Sequence, residues 1–374
     1  MAAIARLSIT ALVSVLTINA AGNAAGNDGN GTSLIGYIDT TGAVVIEPQF
    51  IYATDFSEGV AGVLPKDSER CGIIDENGTM IVSPRFRGVG MFVNGLAPAG
   101  DQHDHCGFIN KQGEFVIPPQ YDDAFEFSDG MAMVMTIHGQ GQTEVLKRGF
   151  VDTSGKVVVP LQFDWVGDFS EGFAYVQRND RWNYVDKSGR LLIPQWLDFT
   201  TFGFSENRAP IKKDGLWGYI DNQGEMVIAP RFSTILPFKF GHAMVALNND
   251  QEIRIIDRMG RFSTDRTFET ISEFHEGLAF VRDGDALECI DTQGRTVIGS
   301  EKLAGIDNIP EFHEGLAAVE IKGRYGYINK TGDLVIKPQP SFVQAGDFSS
   351  GRARITAGRN VLWTVVDRSG RIVE

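Results

Sequence analysis

Trp217-Gly218-Tyr219-Ile220-Asp221-Asn222-Gln223-Gly224 is the stretch from which the rest of this chain can be read. Its second half is a four-residue phrase: Asp or Asn, two variable positions, then Gly. The phrase occurs ten times, at 39–42, 75–78, 110–113, 152–155, 186–189, 221–224, 257–260, 291–294, 329–332 and 367–370. Successive glycines stand 36, 35, 42, 34, 35, 36, 34, 38 and 38 residues apart. A period of this size marks one supersecondary unit copied along the chain.

The flanks of the phrase are short and rich in Val, Ile, Tyr and Phe, as in Gly36-Tyr37-Ile38 before it and Val44-Val45-Ile46 after it. That composition and length favour strands. Asp or Asn at the first turn position bonds the backbone two residues on, and Gly at the last accepts a positive φ. Each copy therefore predicts a β-hairpin.

A second phrase recurs between hairpins. Phe56-Ser57-Glu58-Gly59 returns as Phe127-Ser128-Asp129-Gly130, Phe169-Ser170-Glu171-Gly172, Phe274-His275-Glu276-Gly277, Phe312-His313-Glu314-Gly315 and Phe348-Ser349-Ser350-Gly351. Looser copies begin at Phe92, Phe204 and Phe238. Each leads into a small apolar strand such as Val60-Ala61-Gly62-Val63, so the unit reads strand, polar loop, strand, tight turn, strand, connector. Eight of the nine connectors end in Gly and the other in Asn207, which predicts a left-handed backbone at that position. The third strand is expected to stop at Pro48, Pro84, Pro119, Pro230 and Pro338, since proline cannot donate to a ladder. The aromatic two residues later (Phe50, Phe86, Tyr121, Phe232) is expected to pack under the connector.

The segments 217–224 and 325–332, with their Ile-x-Pro-x-Phe and Phe-Ser-Glu-Gly continuations, resemble the WG (KWG) repeat of bacterial proteins. The resemblance covers roughly residues 34–374. Trp-Gly itself survives only at 217–218, with Cys71-Gly72, Cys106-Gly107, Arg148-Gly149 and Tyr325-Gly326 elsewhere, and the seventh and eighth units have lost both that pair and the proline. It implies a β-rich repeat with no shared catalytic residues.

The predicted fold is all-β, a tandem array of about ten WG-type repeats of three short antiparallel strands. Consecutive apolar residues, as in Val157-Val158-Val159, ask for cover on both sheet faces, which stacked sheets supply. Ten hairpins with nine preceding strands leave the ends without complementary parts of one blade. An open, curved or superhelical array is therefore expected over the alternative, a closed β-propeller of 4–8 blades.

The start of the chain reads differently. A lone Arg6, an apolar stretch over 7–18 and small residues at Ala20, Ala21, Gly22 and Ala24 have the layout of a secretory signal peptide over 1–24. A Gly/Asn-rich segment, 25–33, reads as a flexible lead-in to the array at 34–374. The apolar stretch is short of the ~20 residues of a membrane span. Net charge is −14, which argues against nucleic acid and anionic membranes as partners. The expected setting is periplasmic or secreted.

Candidate chemistry is sparse. His103-Asp104-His105-Cys106 contains competent metal ligands, but neighbours in extended chain point in alternating directions, and a solvated polar loop is the favoured reading. His275 and His313 stand where other units have Ser and read as repeat substitutions. Cys71 and Cys106 occupy one slot in neighbouring units, so an oxidising compartment would permit a disulfide; two small buried residues is the alternative. No phosphate loop, nucleophile elbow or His-Glu-x-x-His is present, and no cofactor or metal is implied. The expected function is a non-catalytic binding or scaffolding module of the bacterial envelope, with an envelope protein or glycan as partner; the alternative is an envelope hydrolase or glycan-processing accessory with a site between repeats. Loops joining the first and second strands vary most, so a partner-binding edge is expected over 66–70, 101–105 and 138–147, including His103, Asp104, His105, His138, Gln140, Gln142 and Glu144.

Overall fold

The structure, a computed structural model, describes residues 25–27, 33–38, 44–139, 145–200, 202–247, 252–338, 342–348, 352–357 and 362–373. Among these residues there is no helix, and every sheet is antiparallel and takes its strands consecutively from the sequence. The chain is an all-β tandem repeat array. It divides into two compact bodies, Met1–Gln162 and Phe163–Glu374. Repeats one to four lie in the first, and repeats five to ten in the second.

Nine of the ten turns fall in described residues, and all nine have one geometry. In repeat two, Gly78 N donates to Asp75 O (2.9 Å), while Asp75 Oδ1 accepts from the amides of Asn77 (3.0 Å) and Thr79 (2.8 Å). The glycine has φ near +80°, as at Gly78 (78°) and Gly224 (80°). The carboxylate replaces a backbone partner and closes the turn, which is why Asn110 and Asn329 serve equally well.

The connector also behaves as its residues require, with one addition. Asn207 has φ of 59°, and its described glycine counterparts lie between 77° and 88°. The residue before each is left-handed too: Glu58 (53°), Asn94 (55°), Glu171 (51°) and Phe240 (53°). Two successive positive φ values make a two-residue hairpin turn that matches strand twist. The connector is therefore a strand in its own right wherever it is long enough. Asp123–Ser128, Trp165–Val166, Thr234–Ile235, Thr270–Ile271, Phe312–His313 and Phe342–Ala345 each pair with the next first strand, so several repeats have four strands where three were expected. Ala25–Asn27, expected in a flexible lead-in, pairs with 33–35.

The third strand stops short of Pro338, at Leu334–Ile336, but runs on through Pro48, Pro84, Pro119 and Pro230. Met226–Phe232 runs through Pro230 to the aromatic, with register shifts between Trp217↔Phe232 and Tyr219↔Ile228. Pro230 sits in a bulge on an edge strand, where its missing donor costs nothing. The bulge brings the third-strand backbone onto Gly218: a Cβ there would lie 2.4 Å from Ile228 O and 2.8 Å from Pro230 N. Gly72, Gly107, Gly149 and Gly326 meet the same backbone at 2.4–2.5 Å. The Trp-Gly glycine is thus required by close approach of the proline bulge, and the aromatic beyond it, buried at Phe50, Phe86, Tyr121 and Phe232, fills the space opposite the Trp slot.

Repeats join through aromatic side chains. Tyr37, Tyr184, Tyr219 and Tyr327 are fully buried and pack at steep angles against the connector Phe of the following repeat, edge to face in Tyr219–Phe238 (4.8 Å) and Tyr327–Phe348 (4.8 Å). Their hydroxyls donate to connector carbonyls, Tyr219 to Leu236 O (2.6 Å) and Tyr327 to Gly346 O (2.8 Å). Along the turn side, Ser170 Oγ donates to Phe204 O (2.9 Å), and Glu171 accepts from the amides of Glu206 (2.8 Å) and Asn207 (2.7 Å). Lys111, Arg258 and Lys330, each on a turn, pair with Glu58, Glu206 and Glu276 of the preceding connector. The connector Ser and Glu are therefore occupied in holding neighbouring repeats together, while the Asp or Asn of the turn phrase closes its own turn.

Candidate functional site

Within each repeat the first-to-second-strand loop lies at the end of the sheet opposite the Asp/Asn-x-x-Gly turn. Arg178 pairs with Arg181 at the loop end of repeat five, while Phe173 pairs with Asp186 at the turn end. The loop edge is the surface that the framework leaves free to vary.

The loop residues expected to dock a partner do not form a ligand set. Asp101 Oδ1 accepts from the amides of His103 (2.7 Å) and His105 (3.0 Å), and Asp101 N donates to His105 O (2.8 Å). Against some desolvation, the amides of His105 and His103 hold the Asp101 carboxyl below its ordinary pKa. Asp104 takes a left-handed φ of 68° and pairs with Arg87. His103 is exposed beside a shallow hollow lined by Arg85, Glu114 and Phe115. His138 is exposed and bonds Thr136 (3.1 Å). Gln140, Gln142 and Glu144 lie outside the described residues.

The disulfide is not formed. Cys71 and Cys106 are free and buried, each in a different core cluster. Burial pushes the thiol pKa of Cys71 up to about 11 and those of Cys106 and Cys289 up to about 12, so all three are packed thiols.

Sequence reasoning missed an aromatic edge in repeats five and six. Trp182 and Trp217 occupy the Trp slot, one residue in from the loop end of the sheet. Phe199 bridges them, with ring centroids 5.5 Å from Trp182 and 5.8 Å from Trp217. Phe202 extends the row beyond Trp217 (6.3 Å), and Tyr175 extends it beyond Trp182 (6.0 Å). Trp165 donates a hydrogen bond to Tyr175. The two tryptophans are buried, but Trp165 is 48% exposed, Phe199 39% and Leu216 42%. Lys212 lies over the Trp217 ring (5.6 Å), Arg178 over Trp196 (4.9 Å), and Arg181 pairs with Asp198 (3.1 Å). The loops here are two-residue turns at Asn179-Asp180 and Asp214-Gly215, so little chain rises beside the row. Four of the chain's five Trp, at 165, 182, 196 and 217, were a usable signal; the partner ring Phe199 lies outside both repeating phrases and gave none.

The structure also gathers His275, Glu311 and His313, whose ligand atoms lie within 4.8 Å of one another. It is the one such group of three or more His, Cys, Asp or Glu among the described residues. Burial lowers the His275 pKa, opposed by Glu311 and reinforced by His313.

The model of the WG containing repeat matches residues 35–67, 72–99, 107–136, 149–182, 184–217, 217–249, 254–285 and 325–358, more than half of the chain. The chain belongs to the WG-repeat family. No curated protein matches this WG-repeat chain by sequence. Among solved structures, it is similar to one described as the crystal structure of the eukaryotic initiation factor, at 12% identity and TM-score 0.52, covering 82% of this chain and 93% of that one. At that identity the likeness concerns the fold alone. It also matches Kluyveromyces lactis Hsv2 (10% identity, 53% of this chain and 71% of that one, TM-score 0.34). A further match is PorZ, described as a bacterial surface component of the type-IX secretion system of Porphyromonas gingivalis (11% identity, 75% and 44%, TM-score 0.29).

Proposed function

We propose that this WG-repeat protein is a non-catalytic binding or scaffolding module exported to the bacterial envelope, and that the aromatic edge of repeats five and six docks its partner. The observation that carries the reading is the row Trp165, Tyr175, Trp182, Phe199, Trp217 and Phe202, flanked by Lys212, Arg178 and Arg181. Aromatic faces with cationic rims are well suited to a protein anchor or the apolar face of a sugar, because they desolvate cheaply and retain polar contacts at the margin. The turn edge has no comparable freedom, since its Asp and Asn residues close their own turns and its connector Ser and Glu residues bond neighbouring repeats.

Export is supported by the layout of residues 1–24 and the negative charge of the whole chain. Fractionation of the producing bacterium, with mass analysis of the N-terminus, should find a chain shortened by about 20–24 residues outside the cytoplasm. A cytoplasmic chain with an intact N-terminus would contradict it. For docking, the immobilised chain and its Trp165→Ala/Phe199→Ala variant should be exposed to envelope extract, untreated or protease-digested. Reduced capture by the variant supports the aromatic edge, and survival of capture after digestion selects a glycan. Equal capture by the two chains removes this edge from consideration.

A further inference from the structure

His275 and His313 take, in repeats eight and nine, the connector position that Ser57, Ser170 and Ser205 hold elsewhere. The serine hydroxyl is used internally, donating to the connector Phe carbonyl of the next repeat, as Ser205 Oγ does to Phe238 O (2.6 Å). The imidazoles instead lie against each other, with centroids 4.6 Å apart and planes inclined at 44°. Glu311 precedes the connector Phe312 and reaches into this pair. Its Oε2 is 3.3 Å from His275 Nε2 and 3.9 Å from His313 Nε2. Asp347 stands at the corresponding place before Phe348, with Oδ2 3.5 Å from His313 Nε2.

His313 Nε2 is sealed from solvent and has no hydrogen-bond partner. A buried nitrogen in that state forfeits the bond that water would have given it. Two carboxylates stand near it, outside good bonding geometry, and a second imidazole lies alongside. Repeated strands account for where these residues sit but not for the convergence of two imidazoles and a carboxylate, with a second carboxylate beside His313.

We propose that His275, His313 and Glu311, with Asp347 beside them, bind one divalent transition-metal ion of the zinc class across the connectors of repeats eight, nine and ten. Ligand atoms about 2.0–2.1 Å from a tetrahedral zinc are about 3.3–3.4 Å apart, and the His275–Glu311 separation of 3.3 Å already matches. His313 needs only a small side-chain shift to join them. Two imidazoles with a carboxylate suit zinc, iron, nickel or copper, whereas calcium and magnesium take oxygen ligands throughout. All three side chains are part-exposed, so an ion can approach His275 and Glu311 from solvent and be met by His313 Nε2, which the same side-chain shift uncovers. Lys239, the nearby cation, is held by Glu273. Bound metal would cross-link successive connectors in addition to the Glu276–Gly315 and Lys330–Glu276 bonds already there.

The test uses the full chain without a histidine tag, in metal-free buffer, with zinc titrated against a chromophoric chelator. One zinc per chain is expected at a Kd of about 10 µM or tighter, with a rise in Tm on saturation. The His275→Gln/His313→Gln variant should lose binding by about 100-fold or more and lose that rise. Circular dichroism without metal checks that it folds; Glu311→Gln, which keeps both rings, is the second variant and should weaken zinc by about 10-fold or more. The His103→Gln/His105→Gln variant should bind as the parent does. The proposal is overturned if the parent takes up no zinc at about 100 µM or if the His275/His313 variant binds equally well. Loss of binding in the His103/His105 variant, or displacement of zinc by millimolar calcium or magnesium, would also overturn it.

Discussion

Repeats five and six are consecutive copies of one unit and differ at one decisive position, Asn183 against Gly218. In repeat six the glycine admits the proline bulge, and Met226–Phe232 pairs as a continuous third strand. In repeat five the third strand is reduced to isolated bridges, Val185↔Leu191 and Trp182↔Leu197, although Pro194 is retained. Asn183 is fully buried and takes over the freed backbone. Its Nδ2 donates to Ile193 O (2.9 Å), and its Oδ1 accepts from Tyr184 N (2.8 Å) and Ile193 N (3.3 Å). Repeats seven and eight make the same substitution with charged residues. Arg254 stacks on Phe262 and bonds Thr264 O (3.4 Å), while Glu288 accepts from Arg266 (2.9 Å) and Thr296 (3.0 Å). In repeat five the loss of the glycine is tolerated because Asn183 supplies hydrogen bonds that the lost strand pairing gave up.

The sharpest way to break this comparison is Gly218→Val. The new Cβ meets backbone that cannot move without opening the strand, and the valine offers no hydrogen bond in return. A loss of about 3 kcal/mol is expected from overpacking, read as a shift in the urea midpoint at unchanged slope. Exchange of the amides of 226–232 should accelerate towards that of repeat five. A change within experimental error would mean that the Trp-Gly glycine is not set by close approach.

Next in size is Asn183→Ala. It leaves two amides and a carbonyl without their partner in a buried setting, at about 1–3 kcal/mol for an unsatisfied group. Hydrogen exchange at Tyr184 and Ile193 should report the loss locally. A neutral result would show that water replaces the side chain.

A smaller effect should separate the two repeats by their tyrosines. Tyr219→Phe removes one bond, to Leu236 O, while Tyr184→Phe removes a hydroxyl that shares its one proton between Phe202 O (2.9 Å) and Pro210 O (2.9 Å) and also meets Thr200 Oγ1 (2.7 Å). The first should cost about 1 kcal/mol, near the usual net value of one hydrogen bond, and the second more. Equal values from thermal melts would mean that the Tyr184 network carries no extra weight.

The smallest effect concerns pH and sets Asp-turn repeats against Asn-turn repeats. Despite some desolvation, Arg295 and the amides of Arg295 and Gln293 lower the Asp291 pKa, and the same pattern lowers Asp257 and Asp367. A carboxylate depressed on folding contributes stability that is complete above its unfolded pKa and is lost as pH falls through the folded value. Amide protection at Gln293 should therefore weaken below the ordinary carboxylate range, while protection at Thr331, beside Asn329, should stay flat. Asp291→Asn should flatten the first profile. Parallel profiles in the parent would sink the argument.

Much of this architecture was legible in the chain. A four-residue turn signal fixes strand boundaries and which residues share an edge, because Asp, Asn and Gly act there through local backbone geometry. Asn207 could be assigned a left-handed φ for the same reason. Pro230 misled because its consequence depends on a partner strand: alone it reads as a stop, but beside Gly218 it becomes a bulge. The fourth strand was hidden because Trp165–Val166 and Thr234–Ile235 are too short to carry a pattern of their own. The candidate sites were largely invisible. His275 and His313 are 38 residues apart and met only because the period stacks them, with Glu311 delivered from a third position. Phe199 reaches two tryptophans from a segment that neither repeating phrase includes.

Several contacts that join repeats link equivalent places one copy along: Ser170 to Phe204, Glu171 to Asn207, Glu206 to Gly241. Such an interface is indifferent to how many copies precede or follow it. Excising one period of about 35 residues, or inserting another, would bring equivalent surfaces into contact without redesigning either. Unequal recombination between the similar stretches that encode them would do this in a single step. Copy number in this lineage can therefore drift as a heritable trait of its own, while each copy's loop edge remains free to acquire a different occupation.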